Sequence, residues 1–139
     1  MTEKVEFAGP GWMAAIKAKL ERLAANDPSM TLSICEVFTG VPRHLDKNGD
    51  GVIAWHCRIS GGKVTFAYGE VDDVDIKNTA DFESILPFAR MKLTPESRAD
   101  YEQRAAALMA QGKLSRVGDM AKVPPSLHGL HNEMAEITA

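Results

Sequence analysis

Residues 52–71 read VIAWHCRISGGKVTFAYGEV, and the periodicity of this stretch decides the fold. Apolar and polar residues alternate on both sides of Ser60-Gly61-Gly62, the pattern of two strands, Val52 to Ile59 and Lys63 to Glu70, joined by a tight hairpin. The paired glycines supply the positive φ values such a turn needs. In the first strand Ile53, Trp55, Cys57 and Ile59 point one way and His56 and Arg58 the other; in the second, Val64, Phe66 and Tyr68 share a face. One face of the hairpin is therefore apolar. A two-stranded ribbon is marginal in water, so further strands must extend it and helices must cover its apolar side.

Upstream, Gly9-Pro10-Gly11 breaks the chain ahead of Trp12 to Ala25, where Trp12, Ile16, Leu20 and Leu23 recur at three- and four-residue steps. That spacing predicts an amphipathic helix, ended by Asn26-Asp27-Pro28. Thr31 to Phe38 reads as a strand with Leu32, Ile34 and Phe38 on one face, which Glu36 interrupts. The loop Asp46-Lys47-Asn48-Gly49-Asp50-Gly51 begins like a calcium-binding EF-hand loop, but Cys57 stands where the bidentate Glu belongs, and the loop lies between strands. It is read as an Asn-Gly and Asp-Gly turn.

Downstream, Val74 and Ile76 alternate with Asp73, Asp75 and Lys77 as another strand. Asn78 or Thr79 is expected to cap a helix from about Ala80 to Ala89, with Phe82, Ile85, Leu86 and Phe88 on its apolar side and Pro87 distorting or ending it. Thr94-Pro95-Glu96 opens a second helix that runs to Ala110 and stops at Gly112. Lys113 to Gly118 is a short strand, and a last helix from Pro124-Pro125 carries Leu127, Leu130, Met134 and Ile137 on one side. This order of elements is an α+β layout.

With 139 residues the chain is expected to form a single domain, residues 1–139. Its net charge of −3 gives no basic surplus, so nucleic acid is not an expected partner. No apolar run approaches the roughly 18 residues of a membrane span, so no integral membrane segment is expected. The opening MTEKVEFAGPGWM lacks the layout of a signal peptide and the closing Ile-Thr-Ala is not a Ser-Lys-Leu address, so a cytoplasmic protein is expected. Cys35 and Cys57 read as small buried hydrophobes, not as a disulfide or a nucleophile. Neither a dinucleotide fingerprint nor a phosphate-cradling glycine loop is present, so no cofactor is expected. His128 and His131 share a helix face near Glu133 but match no zinc motif; they read as solvated, and no metal is expected.

The run from the hairpin through VDDVDIKNTADFESIL to ALMAQGKLSRVGDMAK resembles the sterol carrier protein type 2 family, the nonspecific lipid-transfer domains. Asp73, Val74 and Ile76 leading into Asp81 and Phe82 carry the first part of the likeness. Met109, Gly112, Lys113, Leu114, Gly118, Asp119 and Met120 carry the second. The resemblance implies a five-stranded sheet, mixed but mostly antiparallel, with helices over one face enclosing an apolar cavity. It also implies noncovalent binding of a hydrophobic small molecule, a fatty acid, acyl-CoA, sterol or similar lipid, as a carrier or as presenter to a partner enzyme. Two departures from the family pattern, the long linker from Phe88 to Pro95 and the Pro124-Pro125 pair, bear on the cavity's shape.

Residues expected to meet such a ligand lie on the sheet's apolar side and on the faces of the late helices turned toward it. From the sheet these are Phe38, Trp55, Phe66 and Tyr68; from the first helix after it, Phe82, Leu86 and Phe88. The remainder are Leu108, Met109, Met120, Leu127, Leu130 and Met134, among which methionines adapt to ligands of varied shape. A rival reading is a small enzyme using the same cavity, with Glu36 or His56 as acid/base and Tyr68 as partner. A third is a non-catalytic accessory or homodimerisation module anchored by Trp12. Period two places Glu36 with the core-facing residues, where an unpaired charge is costly; the simpler expectation is that it sits at the sheet's open end in water, or that a bulge resets the register.

Overall fold

The computed structural model describes residues 3–139. Helix α1 (Pro10–Asn26) leads into strand β1 (Leu32–Thr39), and the hairpin forms β2 (Val52–Ser60) and β3 (Lys63–Tyr68). Strand β4 (Ile76–Asp81) and helices α2 (Phe82–Arg90) and α3 (Arg98–Ala110) follow, then β5 (Leu114–Gly118) and α4 (Leu130–Ile137). The five strands make one sheet in the order β3-β2-β1-β4-β5. Only β1 and β4 run parallel; the other neighbours are antiparallel. The expected α+β architecture, a mixed and mostly antiparallel sheet, is the one observed.

Register assigns the faces. Leu32, Ile34 and Phe38 of β1 stand beside Ile59, Cys57 and Ile53 of β2, so their side chains share the inner face, where helices cover them. Cys35, Val37 and Ala54 fall on the outer face, packed with Val52, Val71 and Val74. Cys57 and Cys35 therefore point to opposite sides of the sheet, and both are free, buried thiols.

Three helix starts differ from the sequence reading; the helix expected to open at Thr94-Pro95-Glu96 begins only at Arg98, after a turn. The cap chemistry of Asn78 and Thr79 does not start a helix, because β4 is hydrogen-bonded on one edge to β1 and on the other to β5 and continues to Asp81. Asp81 is the cap, its carboxylate accepting from the Ser84 backbone N–H at 3.1 Å. Pro87 neither ends nor precludes α2, which runs through it to Arg90. The last helix does not begin at the proline pair: Pro125–Leu127 makes one 3-10 turn that buries Leu127, and α4 starts only at Leu130.

The inner face is covered from both ends of the chain. Along α1, Trp12, Met13, Ile16 and Leu20 are buried, the periodic apolar stripe that drives its docking. Before it, a turn closed by Gly9 N–H to Glu6 C=O at 3.0 Å places Ala8 at φ 61 and sets Phe7 into the core. Phe7 meets Trp12, Phe38 and Phe82 with ring centroids 5.2, 4.9 and 5.4 Å apart. Helix α4 is tied to that segment by Val5 N–H to Ile137 C=O at 2.7 Å and Ala139 N–H to Val5 C=O at 2.8 Å. Among the described residues no helix is long and apolar enough to cross a membrane.

Candidate functional site

Between the inner face and its helical cover lies a cavity of about 300 Å³. Its floor is built from three rows of side chains that cross the sheet. One row holds Ile34 and Ile76, another Phe38, Ala80 and Leu114, all apolar. The row between them is different. Cross-strand pairing sets Tyr68 beside Trp55, Trp55 beside Glu36, Glu36 beside Asn78, and Asn78 beside Arg116. The last four line the cavity, so a polar stripe runs across an otherwise apolar floor.

The roof comes from every helix. Trp12 and Ile16 descend from α1, Phe88 and Ala89 from α2, and Tyr101 from α3. Met120, Val123 and Leu127 enter from the segment before α4, and Leu130, His131 and Met134 from α4 itself. Phe88, Tyr101 and His131 form a chain of edge-on rings, with centroids 5.2 and 5.6 Å apart in succession. Arg116 and Met120 are exposed, marking the side on which the cavity reaches solvent.

Glu36 is the principal departure from the simpler expectation. No bulge interrupts β1, so strict alternation carries its carboxyl inward with Ile34 and Phe38. Protein encloses it, and the surface it retains belongs to the cavity. Burial pushes its pKa above the ordinary carboxylate value, against the opposing pull of the Asn78 amide, the Trp55 indole and the Arg116 charge. Trp55 and Asn78 stand close enough to Glu36 to favour its charged form, yet Trp55 Nε1 makes no hydrogen bond of ordinary geometry and Asn78 Oδ1 has no donor. A third such atom, Trp12 Nε1, also belongs to a cavity residue. A buried polar group left without a partner costs about 1–3 kcal/mol.

The other titratable groups lining the cavity are Tyr101, Arg116 and His131. The His131 Nε2 lies 2.7 Å from the Met91 carbonyl. A carbonyl only accepts, so Nε2 carries the proton and the neutral ring keeps Nδ1 as an acceptor. Burial lowers the His131 pKa, the Met91 carbonyl opposes that shift, and Arg116 adds to it. His131 is therefore half-buried in the cavity wall and not the solvated residue that helix spacing suggested; His128 is exposed and lies ahead of α4.

Of the residues singled out from sequence, the structure brings Phe38, Trp55, Phe88, Met120, Leu127, Leu130 and Met134 to the cavity, together with Glu36. Others it places elsewhere. Phe66 stacks behind Trp55 at 5.3 Å, outside the cavity lining, and Phe82 is core packing beside Phe7. Leu86 and Leu108 pack at the edge of the core, and Met109 is 41% exposed. Tyr68 is 53% exposed at the sheet edge with the Lys47 ammonium 5.3 Å above its ring, so it cannot partner Glu36. His56 shares a row with Cys35 and hence faces the opposite side of the sheet, its Nδ1 2.9 Å from the Gly69 carbonyl. Trp12 is 4% exposed and roofs the cavity, so it is not a surface anchor. Asn78, Arg116 and Tyr101 were missed. Alternation along β4 and β5 would have found the first two, had β4 been carried past Lys77.

No protein-family model matches the chain, and no curated protein matches it in sequence. Solved structures do match in shape. A crystal structure of sterol carrier protein 2 superposes with a TM-score of 0.58 at 15% identity, covering 96% of this chain and 100% of that one. The solution structure of the sterol carrier protein domain 2 of Helicoverpa armigera gives a TM-score of 0.56 at 17% identity, covering 94% and 91%. A conserved hypothetical protein from Thermus thermophilus gives 0.52 at 14% identity, covering 100% and 96%. The chain thus has the sterol carrier protein 2 fold.

Proposed function

We propose that this chain binds a small hydrophobic or lipid ligand in the cavity between its sheet and helices, acting as a single-domain carrier or as presenter to a partner enzyme. The observation that carries this reading is the cavity itself: about 300 Å³ left unfilled beneath Trp12, Phe88, Leu130 and Met134, where side chains would ordinarily close-pack. Its lining is mostly apolar, which suits a hydrocarbon body. Two of the structures that share the fold are sterol carrier proteins, which supports the same reading.

Native mass spectrometry of freshly purified protein should reveal a copurified lipid, and titration with a fluorescent fatty acid should saturate at one site. Leu130→Trp, which fills the cavity from α4, should weaken that binding by about tenfold or more. Saturable binding that Leu130→Trp leaves untouched would mean the ligand sits elsewhere. A second reading rests on Glu36 alone: a carboxyl of raised pKa in an apolar cavity is the form a general acid takes. Under it, Glu36→Gln would abolish turnover of a hydrophobic substrate while leaving binding largely intact.

A further inference from the structure

We propose that Arg116 holds an anionic head group at the cavity mouth, so that the guest is a single-chain anionic amphiphile lying tail-inward across the sheet. This inference rests on the carrier reading above and names the ligand's polar end and its orientation. Strand β5 is an edge strand, and pairing with Asn78 turns Arg116 to the inner face, where it lines the cavity yet stays exposed. It is the permanent cation of that lining, and its charge reaches inward to Glu36 and His131. Among the described residues no carboxylate forms an ion pair with it. The cations around it are engaged, Lys77 with Glu70 and Asp72 and Lys122 with Asp75. Asp119, the carboxylate just beyond β5, accepts from the Ala121 backbone N–H.

A charged head cannot follow a hydrocarbon tail into an apolar interior without losing its hydration, so it stops at the mouth. There a guanidinium presents parallel N–H donors that match a carboxylate or a phosphate and repel an ammonium. The inner row sets the path of the tail. Arg116, Asn78, Glu36 and Trp55 stand on successive strands, and the strand spacing puts the two ends of the row roughly 14 Å apart. That is close to the length of an extended decyl chain. Apolar rows on both sides and the helical roof clothe the tail along this path. Trp12 also lies away from β5, its ring centroid 6.3 Å from that of Phe38 on β1. The end of the tail therefore approaches the tryptophans, and the head stays with Arg116 at the surface. Volume limits the guest to one chain of medium length: about 300 Å³ corresponds to on the order of ten water-sized groups.

Both tryptophans of the chain line the cavity, so intrinsic fluorescence reports occupancy directly. The test is titration of the full chain with decanoate, decyl phosphate and 1-decanol at about pH 8 and low ionic strength. Decanol is the neutral reference, and its binding shows that the cavity is intact. The wild-type chain should prefer both anions to decanol, and Arg116→Gln should cut that preference by about fivefold, with Arg116→Lys retaining part of it. A fall for one anion alone assigns the head group to that class. The Arg116 charge favours the ionised form of Glu36. Its removal shifts Glu36 toward the neutral acid, which by itself would admit anions more readily, so the expected fall cannot arise from Glu36. Orientation is read separately: ω-bromodecanoate, with bromine at the tail end, should quench the tryptophans more than α-bromodecanoate. An anion preference that Arg116→Gln leaves within about twofold, or quenching by α-bromodecanoate as strong or stronger, overturns the proposal while the carrier reading stands. If none of the ligands binds the wild-type chain or either variant, both readings fall together.

Discussion

Replacing Glu36 with Gln should change how stability depends on pH, in a direction set by the side chain's position in the cavity. Burial raises the folded-state pKa of Glu36 above its ordinary value of 4.5. Between the unfolded and folded pKa values the folded chain therefore holds a proton that the unfolded chain has released. Stability contributed by the protonated form is complete below the unfolded value and is lost as pH rises toward the folded one. The rate of loss is fixed by proton stoichiometry: one group contributes up to about 1.4 kcal/mol per pH unit within that window and nothing beyond it. Wild type minus Glu36→Gln should thus fall with rising pH from near the unfolded value and then level off. The lowered pKa values of Asp27, Asp75 and His131 affect both proteins and cancel in the difference. Urea unfolding followed by circular dichroism across the acidic to neutral range measures it. A flat difference, or one that rises with pH, would refute the placement of an enclosed carboxyl in this cavity.

Three further outcomes follow from the geometry. Gly118 closes β5 at φ +117, and a Cβ there would stand 2.0 Å from the Asp75 carbonyl oxygen. Gly118→Ala should cost about 3 kcal/mol or more, and Gly112→Ala, at φ +73 with open space around it, about 1 kcal/mol; equal shifts in urea midpoint would contradict the contact. Asp81→Ala removes the cap on the Ser84 N–H and should cost about 1 kcal/mol, measured in the same way. Burial pushes the Cys57 thiol up to about 12, and Cys35 is raised as well. Both should react with a thiol reagent only as fast as the chain opens, so native labelling much faster than unfolding would show an exposed cysteine.

Much of the fold was legible locally. The alternation across Val52 to Tyr68 and the Gly61-Gly62 turn specify a hairpin without reference to anything distant, because side-chain direction in a strand is a property of the backbone. The same alternation placed Leu32, Ile34 and Phe38 on one face, and the apolar stripe of α1 marked its docking side. Caps were less legible. Asn78, Thr79 and Asp81 all carry capping chemistry, and only the ladders on both edges of β4 settle which one is used.

The candidate site divides along the same line. Sequence alone determined that the hairpin has an apolar face, that helices must cover it, and that Glu36 interrupts the apolar face of β1. Tertiary structure decided that Glu36, Trp55, Asn78 and Arg116, drawn from four strands far apart in the chain, fall into one row, and that His56 and Tyr68 do not join them. It also decided that the cover stops short of filling the space beneath it. The physical reason is that alternation and turn chemistry act over a few residues, whereas register between distant strands and the volume left between layers depend on how all the elements pack at once.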